Sequence, residues 1–167
     1  GLMMARLCYD LLMEKGRDAL AAVERHEVTP ALEDVVEATI YLSGLGFENG
    51  GLAAAHAVND GFAQEPQAHG MYHGEKVAFG TLVQLVLEKA PQEELEQVLA
   101  FLRDTGLPLT LAQLGVKEIV PETLKKVAEA AVVPTQSTKN LRADITAQEV
   151  YDAILEADRI GRDYLAR

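Results

Sequence analysis

The sequence predicts an all-α fold, one domain of about six to eight helices across residues 1–167. Three observations predict it. Apolar residues recur at helical spacing through most of the chain, and proline and capping residues punctuate those runs. No stretch alternates apolar and polar residues as a half-buried strand does, and no repeat, heptad or low-complexity tract is present.

Met4, Leu7, Leu11 and Leu12 fall at helical spacing from the first residues, with Asp10, Glu14 and Arg17 at the other positions. No Ser, Thr, Asp or Asn caps this run, so the chain is expected to begin inside a helix, as a domain cut from a longer protein would. Thr29-Pro30 starts the next helix, the threonine as cap and the proline at the first helical position, with Glu33 and Asp34 at the positive end of the dipole. That helix is expected to end near Ser43, where glycines accumulate. Pro66 and Gly70 mark 61–72 as loop. Residues 75–89 are apolar nearly all round, so their helix belongs in the core. Pro91 opens a helix to about Thr105, and Gly106-Leu107-Pro108 stops it. Thr110 is placed to cap a short turn ending at Gly115, and Pro121 starts a helix through Ala131. Val133 to Ile145 is expected as a surface loop. Thr146-x-x-Glu149 is a capping box for the last helix.

Composition narrows the function classes. The 167 residues carry a net charge of −11, which argues against nucleic-acid backbones and anionic membrane surfaces as partners. No apolar run approaches the roughly 18 residues of a membrane span, and no signal peptide is legible. Cys8 is the single cysteine, so no internal disulfide forms and a reducing cytoplasm is the natural home. It reads as a small buried apolar residue with nothing basic nearby to activate it.

Chemistry concentrates in the stretch from Ser43 to Gly80. A glycine-rich turn, Ser43 to Gly51, leads into a small-residue helix, Leu52-Ala53-Ala54-Ala55, that presents His56. A loop then returns to His73, ahead of the apolar helix that opens Gly74-Glu75-Lys76. Two imidazoles at two helix ends with little bulk between them suit a metal ion with room for a small substrate. Read singly, each has a plainer explanation: a satisfied core histidine at 56, an ordinary helix-start histidine at 73. Gly44-x-Gly46-x-x-x-Gly50 is one residue too long for a dinucleotide fingerprint and follows a helix rather than a strand, which excludes nicotinamide binding there. The glycines either permit tight turns and close helix approach or leave space for a small polyol, and Phe47 at the turn's tip either packs or walls that pocket. His26, beside Glu27 at a helix end, reads as surface.

The residues GLGFENGGLAAAHA, followed by YHGEKVAFGTLVQLVLE and then by Gly106 to Gly115, resemble the helical metal-binding domain of glycerol dehydrogenases in the iron-containing (type III) alcohol dehydrogenase family. The likeness covers nearly the whole chain. It implies that His56 and His73 are metal ligands, completed in the family by an aspartate, and that the family's nucleotide-binding half precedes residues such as these. It further implies a divalent metal ion, zinc favoured over iron, and NAD as a cofactor of the complete enzyme only. The implied reaction is glycerol to dihydroxyacetone, the metal polarising the hydroxyl and hydride passing to NAD+.

Where the sequence departs from that pattern, further expectations follow. No residue matches the family's aspartate, so the isolated chain is expected to lack turnover, and two histidines alone should hold zinc poorly. Asp60, four residues after His56, and His69, four before His73, are the candidate replacement ligands, with a solvated role the plainer reading of Asp60. Exposed helical faces favour a homo-oligomer. Two alternatives stand beside this reading: a helical oligomerisation or interaction module that has lost the chemistry, and a dehydrogenase for a related small diol.

Overall fold

The computed structural model describes all 167 residues, Gly1–Arg167, as helices and turns with no strand. The all-α expectation holds, with eight α-helices and, between them, one π and three 3₁₀ turns. The chain divides into two compact units, Gly1–Gly51 and Leu52–Arg167.

In the first unit, α1 (Leu2–Glu24) packs against α2 (Pro30–Glu37) and α3 (Ser43–Gly50). Thr29 caps α2 as expected, its Oγ1 accepting the Leu32 N–H at 3.3 Å ahead of Pro30. His26 closes α1 on the surface in a left-handed conformation. Small residues let these helices approach: Ala19, Ala22 and Ala38 are buried with Cys8, whose thiol faces the Ala38 carbonyl at 3.7 Å.

One expectation fails in this unit. Ser43 to Gly51 is not a glycine-rich turn, because residues 43–50 are the helix α3. A π turn, Ala38–Leu42, carries the helical path from α2 into α3 without a break. Gly46 then rests against Ala5 of α1, where a Cβ would stand 3.3 Å from the Ala5 nitrogen. Tertiary contact thus offsets glycine's helix penalty of about 1 kcal/mol. The helix stops one residue beyond, at Gly51, whose φ of +75° suits glycine.

The second unit is built on α5 (His73–Glu88), which packs against α4 (Ala54–Gly61), α6 (Gln92–Asp104) and α8 (Ala147–Leu165). Helix α7 (Pro121–Ala131) closes on α4 and α8. As its all-round apolarity predicts, α5 buries Phe79, Leu82, Val83 and Leu85, and Phe79 meets Phe62 edge-on at 6.0 Å. Thr146 and Glu149 form the expected capping box of α8, and Thr110 Oγ1 accepts the Gln113 N–H in the turn that ends at Gly115. The loop 133–145 is less simple than expected: it contains a 3₁₀ turn, Ser137–Asn140, whose Thr138 is buried.

Candidate metal site

Helix α4 begins two residues later than the sequence suggests, at Ala54, because Leu52 and Ala53 are held outside it by side chains from far along the chain. Asn140 Nδ2 donates to the Leu52 carbonyl and Ser137 Oγ to the Ala53 carbonyl, each at 2.8 Å. The cap residue Ala53 has no side-chain acceptor. The amide oxygen of Gln84 on α5 supplies one instead, accepting the Ala55 N–H at 3.0 Å. His56 is therefore the third residue of α4.

His73 is the first residue of α5. The loop that delivers it is tied down along its length. Glu65 Oε1 accepts the Gln67 N–H at 3.0 Å, and the Gln67 amide oxygen accepts the N–H groups of Lys117 and Glu118, each at 3.2 Å. The Glu75 carboxylate then accepts the Tyr72 N–H at 2.7 Å, closing the first turn of α5 over His73.

These two helix starts bring the imidazoles together, with ring centroids 5.6 Å apart and planes tilted by 47°. Two rings bound through nitrogen to one ion at the usual Zn–N distance of about 2.0–2.1 Å would hold their centroids roughly 5–5.5 Å apart. The observed 5.6 Å is close to that separation. Burial, and then the neighbouring His73, push His56 below the ordinary imidazole pKa of 6.5, with Asp60 opposing. Both rings also lie in first helical turns. Neutral imidazole is the ligating form. His56 is half-buried and His73 exposed, so the pair is open to solvent on one side.

No third His, Cys, Asp or Glu joins the pair. The two proposed replacements are engaged elsewhere. Asp60 accepts from Asn59 Nδ2 at 3.0 Å and from Gln136 Nε2 at 3.2 Å, and His69 Nε2 donates to the Ala63 carbonyl at 3.0 Å. Phe47 lies in the first unit with its ring exposed, on α3 rather than at the tip of a turn. Sequence reasoning missed Gln84, Ser137 and Asn140, whose partners lie 29 to 88 residues away, beyond any local motif.

Fold and pair together define an all-helical protein with two adjacent imidazoles at helix starts. No protein-family model matches the chain. The resemblance to glycerol dehydrogenases of the iron-containing alcohol dehydrogenase family holds over nearly all of it. The chain is 56% identical over 164 residues to a glycerol dehydrogenase of Escherichia coli O6:H1, covering 98% of this chain and 45% of that protein. It is 45% identical to a glycolaldehyde reductase of Halobacterium salinarum, covering 95% of this chain and 44% of that protein. The crystal structure of the Schizosaccharomyces pombe glycerol dehydrogenase superposes with a TM-score of 0.93 at 40% identity, over 97% of this chain and 41% of the other. The chain thus spans under half the length of these relatives.

Proposed function

We propose that residues 1–167 form the metal- and polyol-binding portion of an NAD-dependent glycerol dehydrogenase. The observation that carries the reading is the His56–His73 pair, at a separation suited to one ion and with His56 biased to its neutral form. A divalent ion held there, zinc before iron given its fit to imidazole ligands, supplies Lewis-acid polarisation of an alcohol oxygen. The chain's own part is to hold two imidazoles at fixed helix starts and to leave the His73 side open for a small hydroxylated substrate. The third ligand and the NAD site are assigned to a nucleotide-binding portion, so residues 1–167 by themselves give no turnover.

The exposed apolar side chains of Val28, Val36, Ile40 and Tyr41 on the first unit support a homo-oligomer. The single, buried Cys8 is compatible with the cytoplasm, and no helix is long and apolar enough to cross a membrane. The similarity to a glycolaldehyde reductase favours one second reading, in which the substrate is another small hydroxy compound.

The test is a chimera in which residues 1–167 replace the matching stretch of the Escherichia coli relative. It is expected to hold about one metal ion per chain and to oxidise glycerol with NAD+. His56→Ala or His73→Ala should remove both metal and turnover. A folded chimera that keeps full activity without either histidine would overturn the site assignment, and a folded chimera that binds no metal would favour a helical module without chemistry. A panel of small diols and hydroxyaldehydes separates the two substrate readings.

A further inference from the structure

We propose that Gly80 and Gln84 are positioning residues that set the separation of the His56–His73 pair, an inference that rests on the metal-site reading above. Ala55 immediately precedes His56, and both of its backbone polar groups are met by α5. Its N–H donates to Gln84 Oε1 at 3.0 Å. Its carbonyl lies against Gly80, where a Cβ would stand 2.4 Å from the oxygen and 3.1 Å from the carbonyl carbon. Real side chains do not approach backbone so closely, so only glycine lets α4 come this near α5.

The placement of these two residues along α5 links them to the other histidine. Gly80 and Gln84 follow His73, the first residue of α5, by seven and eleven positions. At 3.6 residues per turn, all three lie within about 20° of one stripe of the helix. The stripe that starts with one imidazole therefore grips the residue before the other. Gln84 is itself oriented: its Nε2 donates to Glu88 Oε1 at 2.7 Å, one turn on. A carboxylate only accepts and the Ala55 N–H only donates, so both ends fix the amide with its oxygen toward α4.

A shift of α4 along or away from this stripe carries His56 with it and leaves His73 in place. Two-point ligation is sensitive to such a shift, whereas binding by one imidazole is not. Residues that orient ligands in this way change metal affinity by about 10–100-fold when removed.

The experiment uses the full chain and the Cu²⁺–iminodiacetate complex, whose chelator supplies three donors and leaves positions for two imidazoles. Affinity is read by titration, and the number of bound imidazoles by the nitrogen hyperfine pattern in electron paramagnetic resonance. His56→Ala gives the single-imidazole background, other histidines included. The native chain is expected to bind at least about tenfold tighter than that background, with two coordinated imidazoles. Gln84→Ala should fall by about tenfold toward it while keeping its helical circular dichroism. The double variant Gln84→Glu with Glu88→Gln should restore affinity, because the carboxylate at 84 still accepts from Ala55 and the amide at 88 donates to it. Gly80→Ala should lose at least as much. If that variant does not fold, the Gln84 series decides the matter.

A Gln84→Ala protein that keeps native two-imidazole binding overturns this inference and leaves the metal-site reading standing. So does a loss that the exchanged pair fails to rescue, since that marks a merely structural role. A native chain that binds no better than His56→Ala overturns the two-histidine reading, and this inference with it.

Discussion

Asp158 on α8 is buried, and its Oδ1 accepts the backbone N–H of Leu111 at 2.8 Å, pinning a turn 47 residues earlier in the chain. Its other oxygen meets Arg162 Nε at 3.1 Å. Arg162 is largely exposed, so the ion pair contributes little and the bond to the buried backbone dominates. Asp158→Ala is expected to cost about 2–3 kcal/mol by leaving the Leu111 N–H without an acceptor. Asp158→Asn, which keeps an acceptor of the same shape, should cost less. Urea denaturation of the two variants checks the order.

Gly161, one turn along α8, makes the complementary contact. A Cβ there would stand 2.0 Å from the Leu109 carbonyl oxygen, so Gly161→Ala should destabilise by about 1–3 kcal/mol. Gly44, in the helical run of the first unit, meets nothing within 4 Å, and Gly44→Ala should stabilise by about 0.5–1 kcal/mol through propensity alone. Opposite signs for one substitution type in thermal melts are the expected result; a Gly161→Ala protein no less stable than the native chain would refute the close contact.

Glu149 gives stability a pH dependence on the acid side. The Thr146 N–H, at 2.9 Å, and then the paired Arg142 hold its carboxyl below the ordinary value of 4.5. The folded state therefore binds its proton less readily than the unfolded state. The contribution is fully present above pH 4.5 and is lost as pH falls through the lowered folded value. Glu149→Gln should flatten this part of the stability–pH curve, and an unchanged slope in acid titrations of denaturation would count against the cap.

Cys8 should be a slow thiol. Burial pushes its pKa above the ordinary 9.0, and its sulfur is directed at the Ala38 carbonyl. Reaction with an aromatic disulfide reagent at pH 8 is expected to be slow in the folded chain and fast in denaturant. Fast labelling under native conditions would show that α1 opens readily from α2.

The helix starts were legible wherever their physics is local. Thr29 with Pro30, Pro121, and Thr146 with Glu149 act within one turn of chain, so residue type and spacing suffice to place them. The core helix α5 was legible because a helix packed against three others demands apolar residues around most of its circumference. Glycines 44, 46 and 50 misled because local propensity was overruled by the π turn and by the approach of Gly46 to Ala5, 41 positions away.

The sequence by itself thus determined the all-helical class, most boundaries and the two histidines. Only the tertiary structure decided that those imidazoles stand 5.6 Å apart, that Asp60 and His69 are committed to other partners, and that Gly80 and Gln84 grip the residue before His56. The physical reason is range. Caps and periodicity are encoded within a few residues, whereas the distance between two helix starts is set by which backbones can touch, through contacts between residues remote in the chain.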